Sequence, residues 1–225
     1  MLLRKVITMC EDFPNSGDSE ESPQAEDPTI LPFSEVIRFH GHLCPGVTLG
    51  YCASKIALKE LRAGRDVDEQ LVAIVENDAC GIDAIQAVTG CTLGKGNLIY
   101  RDYGKHVYTF INRVTGDAIR VSLKDREIDD SQKALQTRVR EGTASQDDRL
   151  ALKKLQQENL DKMLAAPPEN YFHVKHVRVE IPEKARLFGS VKCSKCGEMT
   201  AESRARVQNG NFVCIPCFDE YTRGW

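Results

Sequence analysis

Behind Pro45 and Gly46, the residues Val47, Leu49, Ala53, Ile56, Ala57 and Leu61 recur at three- and four-residue spacing, which predicts a helix with one apolar face. Proline suits its first turn and Gly64 its stop. Leu71 to Val75 is a short apolar run of strand length ending in Glu76-Asn77-Asp78. Helical spacing resumes through Ile82, Ala84, Ile85 and Val88 until Gly90. Three strands are expected over 97–100, 107–113 and 118–123, divided by the turn-forming Asp102-Tyr103-Gly104-Lys105 and Thr115-Gly116-Asp117. Charged amphipathic helices follow over 131–140 and 146–164, stopped by Pro167-Pro168. The alternation of Phe172, Val174, Val177 and Val179 predicts a long half-exposed strand from Tyr171 to Ile181.

Composition adds boundaries to this pattern. Between Glu11 and Pro28 there are seven acids and no Lys or Arg, so the segment 1–28 reads as a flexible acidic tether. An α+β core is expected over 29–185, with a helical extension at 130–165, and a small module over 186–225. The formal net charge of -3 provides no bulk basic field for nucleic acid. The first nine residues lack the apolar stretch of a secretory signal, and nothing approaches the roughly 18 apolar residues of a membrane helix. A cytoplasmic protein with no membrane partner is the expectation. Nine cysteines, four of them in Cys-x-x-Cys pairs, favour metal thiolates in a reducing compartment over a disulfide framework. Cys10 is the least informative of them.

Cys193-Ser-Lys-Cys196 and Cys214-Ile-Pro-Cys217 are separated by 17 residues, a spacing suited to a four-cysteine zinc site. Gly197 can turn the chain so that amides face the thiolates, and Asn209-Gly210 is a hairpin dipeptide. A terminal helix is expected over 218–222. Four thiolates complete a tetrahedron, so the ion is structural, and it would supply the folding free energy that a module this small lacks. Arg186, Lys192, Lys195, Arg204 and Arg206 give a modest basic bias, read as solvated surface in preference to a nucleic-acid contact.

The richest chemistry lies in Phe39-His40-Gly41-His42-Leu43-Cys44-Pro45-Gly46. Cys44 precedes proline and is biased toward extended backbone, where residues two apart share a face. His40, His42 and Cys44 would then point together as ligands for a second transition ion, with an open coordination position. The helix that follows would lower the Cys44 pKa through its positive end. In Glu76-Asn-Asp-Ala-Cys80-Gly-Ile-Asp83-Ala a strand gives way to a helix, placing Cys80 at a helix N-terminus as ligand or nucleophile. Cys52 reads as core. Cys91 lies in a glycine-rich loop without the Gly-Lys-Ser/Thr ending of a phosphate loop, and reads as a pocket wall.

These stretches resemble the formylmethanofuran dehydrogenase E-subunit family: residues 39–46 with Gly50-Tyr51, 76–84 with Gln86, 89–98, and Asp102-Tyr-Gly-Lys105. The resemblance spans residues 33 to about 125. It implies a helix, strand, helix, three-strand core with a mixed, mostly antiparallel sheet, like the catalytic domain of glyceraldehyde phosphate dehydrogenases. A treble-clef or ribbon zinc finger often follows, and the family is often dimeric. It fixes no reaction. Two functions stay open. In one, His40, His42, Cys44 and Cys80 hold an ion or present thiolates, Asp83 orients a histidine, Lys105 neutralises an anionic small molecule, and Asp78 and Tyr103 line the pocket. In the other, the protein is regulatory or a scaffold, and its finger contacts nucleic acid or a protein partner.

Overall fold

In a computed structural model of the chain, residues 30–125 and 130–224 are described. The acidic segment 1–28 and Cys10 lie outside them. The described chain divides into two compact units, one ending at Lys184 and the other starting at Ala185.

The first unit opens with a helix that periodicity did not reveal, α1 (Phe33–His40), ended by Gly41 at φ 100°, a left-handed position that glycine takes without steric cost. α2 (Pro45–Glu60), β1 (Leu71–Val75), α3 (Gly81–Thr89) and β2 (Leu98–Tyr100) follow, then β3 (Val107–Asn112), β4 (Ala118–Leu123) and β5 (Phe172–His176). The sheet order is β2-β1-β3-β4-β5. Only β1 and β2, joined across α3, are parallel, and the other pairs are antiparallel. This is the expected α+β core with a mixed, mostly antiparallel sheet.

The main core packs α2 and α3 onto one sheet face, with Ala73, Val75, Tyr108, Phe110, Ile119 and Val121 beneath them. Val72, Ile74, Ile111 and Ala118 form a second cluster with Ile99 and Val177. Alternate residues of β1 thus enter different clusters, which is why all five are buried and the strand reads as an unbroken apolar run. At the start of β1, the carboxylate of buried Asp66 accepts from the backbone amides of Gln70 and Leu71, from Lys95 Nζ at 3.0 Å and from Asn97 Nδ2 at 2.9 Å. α4 (Asp130–Glu141) and α5 (Gln146–Ala165) follow β4. Ser145 and Asp148 form a capping box at α5, and Arg138 binds Asp148 at 2.7 Å.

The strand expected to reach Ile181 ends at His176. Alternation reports extended backbone, but a strand also needs a neighbour, and past Val177, whose amide donates to Ala118, the chain is held by side chains. Arg113 donates to the carbonyls of Pro182 and Glu183, and Lys184 pairs with Asp68.

The second unit contains two hairpins, β6 (Ser190–Lys192) with β7 (Met199–Ala201) and β8 (Arg206–Gln208) with β9 (Asn211–Val213). Asn209 and Gly210 both have positive φ, 50° and 76°, matching the turn their sequence demands. The terminal helix expected over 218–222 does not form. A single 3-10 turn, Ile215–Cys217, ends at Phe218, whose backbone is extended while its ring packs on the cysteine cluster. A helix of five residues is too short to sustain itself without a packed apolar face.

Candidate metal centres

Glycines determine how the core site is assembled. A Cβ placed on Gly50 would lie 2.1 Å from Gly81 O, and one on Gly46 would lie 3.0 Å from Cys80 Cβ. α2 and α3 can therefore touch backbone to backbone, and the close approach brings Cys80, the residue before α3, against the start of α2, where Cys44 is the N-cap. α1 delivers His40 from the third side. The nitrogen and sulfur ligand atoms of His40, Cys44 and Cys80 all lie within 4.8 Å of one another. His40 Nε2 is 3.7 Å from Cys44 Sγ, while His40 Nδ1 bonds Asp83 Oδ2 at 2.7 Å. With a proton on Nδ1 for the carboxylate, Nε2 presents its lone pair to the two thiols. A tetrahedral zinc ion with ordinary bond lengths separates nitrogen and sulfur ligands by about 3.6 Å, so the observed spacing suits one.

The local backbone differs from the extended run read from the sequence. His40 closes a helix and Gly41 is left-handed, so residues two apart do not share a face. His42 consequently stands beside the cluster rather than in it: its ring lies 4.5 Å from that of His40, tilted by 39°, and its Nε2 is buried without a hydrogen-bond partner among the described residues. The Cys44 thiol is also not acidified. Burial pushes it up to about 11, outweighing the Val47 amide that donates to its sulfur. A thiolate there calls for a cation.

Asp78, Tyr103 and Lys105 present exposed side chains with no hydrogen bond to the cluster among the described residues. The backbone of Lys105 is tied to the site indirectly: its carbonyl accepts from Asn77 Nδ2 at 2.6 Å, and Asn77 Oδ1 accepts from the Ala79 amide. Cys52 is core, and Cys91 is core as well rather than a pocket wall, its sulfur donating to Leu71 O. Two features went unread in the sequence: α1, too short for periodicity to register, and the pairing of Gly50 with Gly81, which has no local signal.

In the second unit the four sulfurs of Cys193, Cys196, Cys214 and Cys217 also lie within 4.8 Å of one another. Cys196 and Cys214 are 3.8 Å apart, the sulfur–sulfur edge of a zinc–thiolate tetrahedron being about 3.8 Å. Backbone amides of Cys196 and Cys214 hold Cys193 down to about 6. Neighbouring thiols push Cys217 up to about 12. The amides thus stabilise one thiolate, and four at this spacing require a divalent cation.

Fold and sites together define a metal-binding α+β protein with a C-terminal four-cysteine zinc finger. Residues 39–173 match the family described as FmdE, molybdenum formylmethanofuran dehydrogenase operon, and residues 186–223 match the prokaryotic dksA/traR C4-type zinc finger. The chain belongs to the FmdE family. A protein of Archaeoglobus fulgidus named as a probable S-adenosyl-L-methionine-binding protein is 36% identical over 213 residues, covering 90% of this chain. This chain spans 56% of that relative's length. The crystal structure of an FmdE-like protein of the tungsten formylmethanofuran dehydrogenase type, from Syntrophus aciditrophicus, superposes with a TM-score of 0.54 at 25% identity, covering 82% of this chain and 88% of that one. Among the described residues no helix is long and apolar enough to cross a membrane.

Proposed function

We propose that the core of this protein binds a transition ion, zinc foremost, through His40 Nε2, Cys44 Sγ and Cys80 Sγ, with a fourth position open to an exchangeable ligand. One observation carries the reading: three soft or borderline donors from three helix ends lie within 4.8 Å of one another, and Asp83 Oδ2 stands 2.7 Å from Nδ1 of the histidine among them, an arrangement suited to leaving Nε2 for the ion. The thiols would lose their protons to the ion, relieving the cost of burying them. An open position on such an ion can polarise a bound carbonyl or activate water, and Cys80 would otherwise serve as a nucleophile.

Elemental analysis of the full chain tests this. Two equivalents of metal are expected, one for the finger and one for the core, and the double variant Cys44→Ser, Cys80→Ser should retain one. A single equivalent in both proteins would remove the core centre. Asp83→Asn should weaken the core ion by about 10- to 100-fold while leaving the finger loaded.

A second reading, ligand binding in the core, is favoured by the name of the Archaeoglobus relative: S-adenosyl-L-methionine is the first small molecule to try on this chain. The homodimer implied by the family resemblance belongs to the same proposal, and a monomer in sedimentation equilibrium at micromolar concentration would remove it. A nucleic-acid or protein contact through the finger has less behind it. Lys195 is already paired with Asp219, and binding that rises steeply as salt falls would be its mark.

A further inference from the structure

Between α1 and the C-terminal half of α3 lies a cavity of about 420 Å³, a size typical of small-molecule sites. Its walls include Leu31, Glu35, Arg38 and Phe39 from α1 and its approach, Arg65 from the loop after α2, and Gln86 from α3. We propose that this cavity is an anion-recognition subsite, in which Arg65, assisted by Arg38, takes the carboxylate or phosphate of a small organic ligand whose apolar part lies against Leu31 and Phe39. The proposal deepens the ligand-binding reading of the core by assigning it a location and a charge.

The charge balance carries the argument. Arg38 already has a partner, since its guanidinium donates to Glu35. Arg65 does not: its Nε donates to Ala87 O at 2.9 Å, which fixes the guanidinium at the cavity, and among the described residues no acid pairs with it. The acid next to it in sequence, Asp66, is spent on two amides, Lys95 and Asn97, and Asp68 pairs with Lys184. A guanidinium held by one nitrogen, with its terminal nitrogens left over, suits a bidentate carboxylate or phosphate. With Arg38, Arg65 and Glu35, the walls carry one net positive charge. Phe39 precedes His40, whereas Ala87, whose carbonyl holds Arg65, lies seven residues along α3 from Cys80, roughly 10 Å at the helical rise, so a ligand anchored on Arg65 would reach toward the metal cluster by extending past Phe39 and Gln86.

Calorimetric titration of the full, metal-loaded chain tests this with three probes: S-adenosyl-L-methionine, which supplies a carboxylate, ATP, which supplies phosphate, and adenosine, which supplies neither. Saturable binding of either anionic probe, at least tenfold tighter than adenosine and weakened by about 10- to 100-fold in Arg65→Ala, is expected. Arg65→Lys should retain part of the affinity, because charge survives while the fork is lost. Preference for one of the two anionic probes identifies the source of the anion. Equal binding of adenosine, no binding of either anionic probe at millimolar concentration, or affinity unchanged in Arg65→Ala overturns the assignment. Repeating the titration with Cys44→Ser, Cys80→Ser separates the two proposals: an Arg65-dependent affinity there supports the subsite even where the core metal count has failed.

Discussion

The contact between α2 and α3 leads to the sharpest prediction. In Gly50→Ala the new methyl group would lie 2.1 Å from Gly81 O, 2.6 Å from its Cα and 2.7 Å from its carbonyl carbon, where ordinary contact begins at 3.4 Å. Every colliding atom is backbone, so no rotamer change relieves the overlap, and the helices must part by more than an ångström. Two effects oppose each other. Alanine within a helix is favoured over glycine by about 1 kcal/mol, whereas overpacking of a dense core costs about 1–3 kcal/mol and occasionally more. With backbone on both sides the clash should sit at the upper end of that range, for a net loss of about 2 kcal/mol. That corresponds to a fall in melting temperature of about 4–8 °C for a unit of this size. The metal cluster should suffer more than the fold, because metal–ligand distances tolerate only about 0.2 Å and Cys80 moves with Gly81. Scanning calorimetry reads the first effect, and cobalt titration, following the thiolate-to-metal absorption, reads the second. Gly64→Ala is the control: nothing lies within 4 Å of its Cβ position, so a change within about 1 kcal/mol is expected. A Gly50→Ala protein that melts with the parent and still fills its core site would refute this account of how the site is assembled.

Asp66→Ala should cost about 3–5 kcal/mol in urea unfolding, because four donors lose the buried carboxylate that receives them; a loss below about 1 kcal/mol would mean that water replaces it. The Arg138 guanidinium and the Ser145 amide hold Asp148 down to about 2 in the folded chain. Its folded pKa is therefore below its unfolded value near 3.8, so its stabilisation is intact above pH 3.8 and is lost as pH falls toward 2, which carboxylate NMR titration would show as a midpoint near 2 rather than near 4. In the finger, Cys214→Ser or chelation of the ion should abolish slow amide exchange across β6 to β9, since the metal supplies most of this unit's folding free energy. Retained protection after complete zinc removal would contradict that.

The sequence alone specified the chemistry and most of the elements. The zinc finger was legible because its signals are local: two Cys-x-x-Cys pairs, a glycine turn and an Asn-Gly hairpin each act within a few residues. The core strands and the long helices announced themselves by periodicity, because burial repeats at fixed intervals within one element. What the tertiary structure decided was convergence. Cys80 meets Cys44 because two glycines far apart in the chain let helices touch, a property of the pair that neither local stretch displays. His42 fell away from the cluster because a short helix ended at His40 and turned the backbone, and Cys44 gained a raised pKa because neighbours buried it. Residue type and spacing establish which donors a chain owns, whereas distance and dielectric, which arise only when separate elements pack, decide which of them can share one ion.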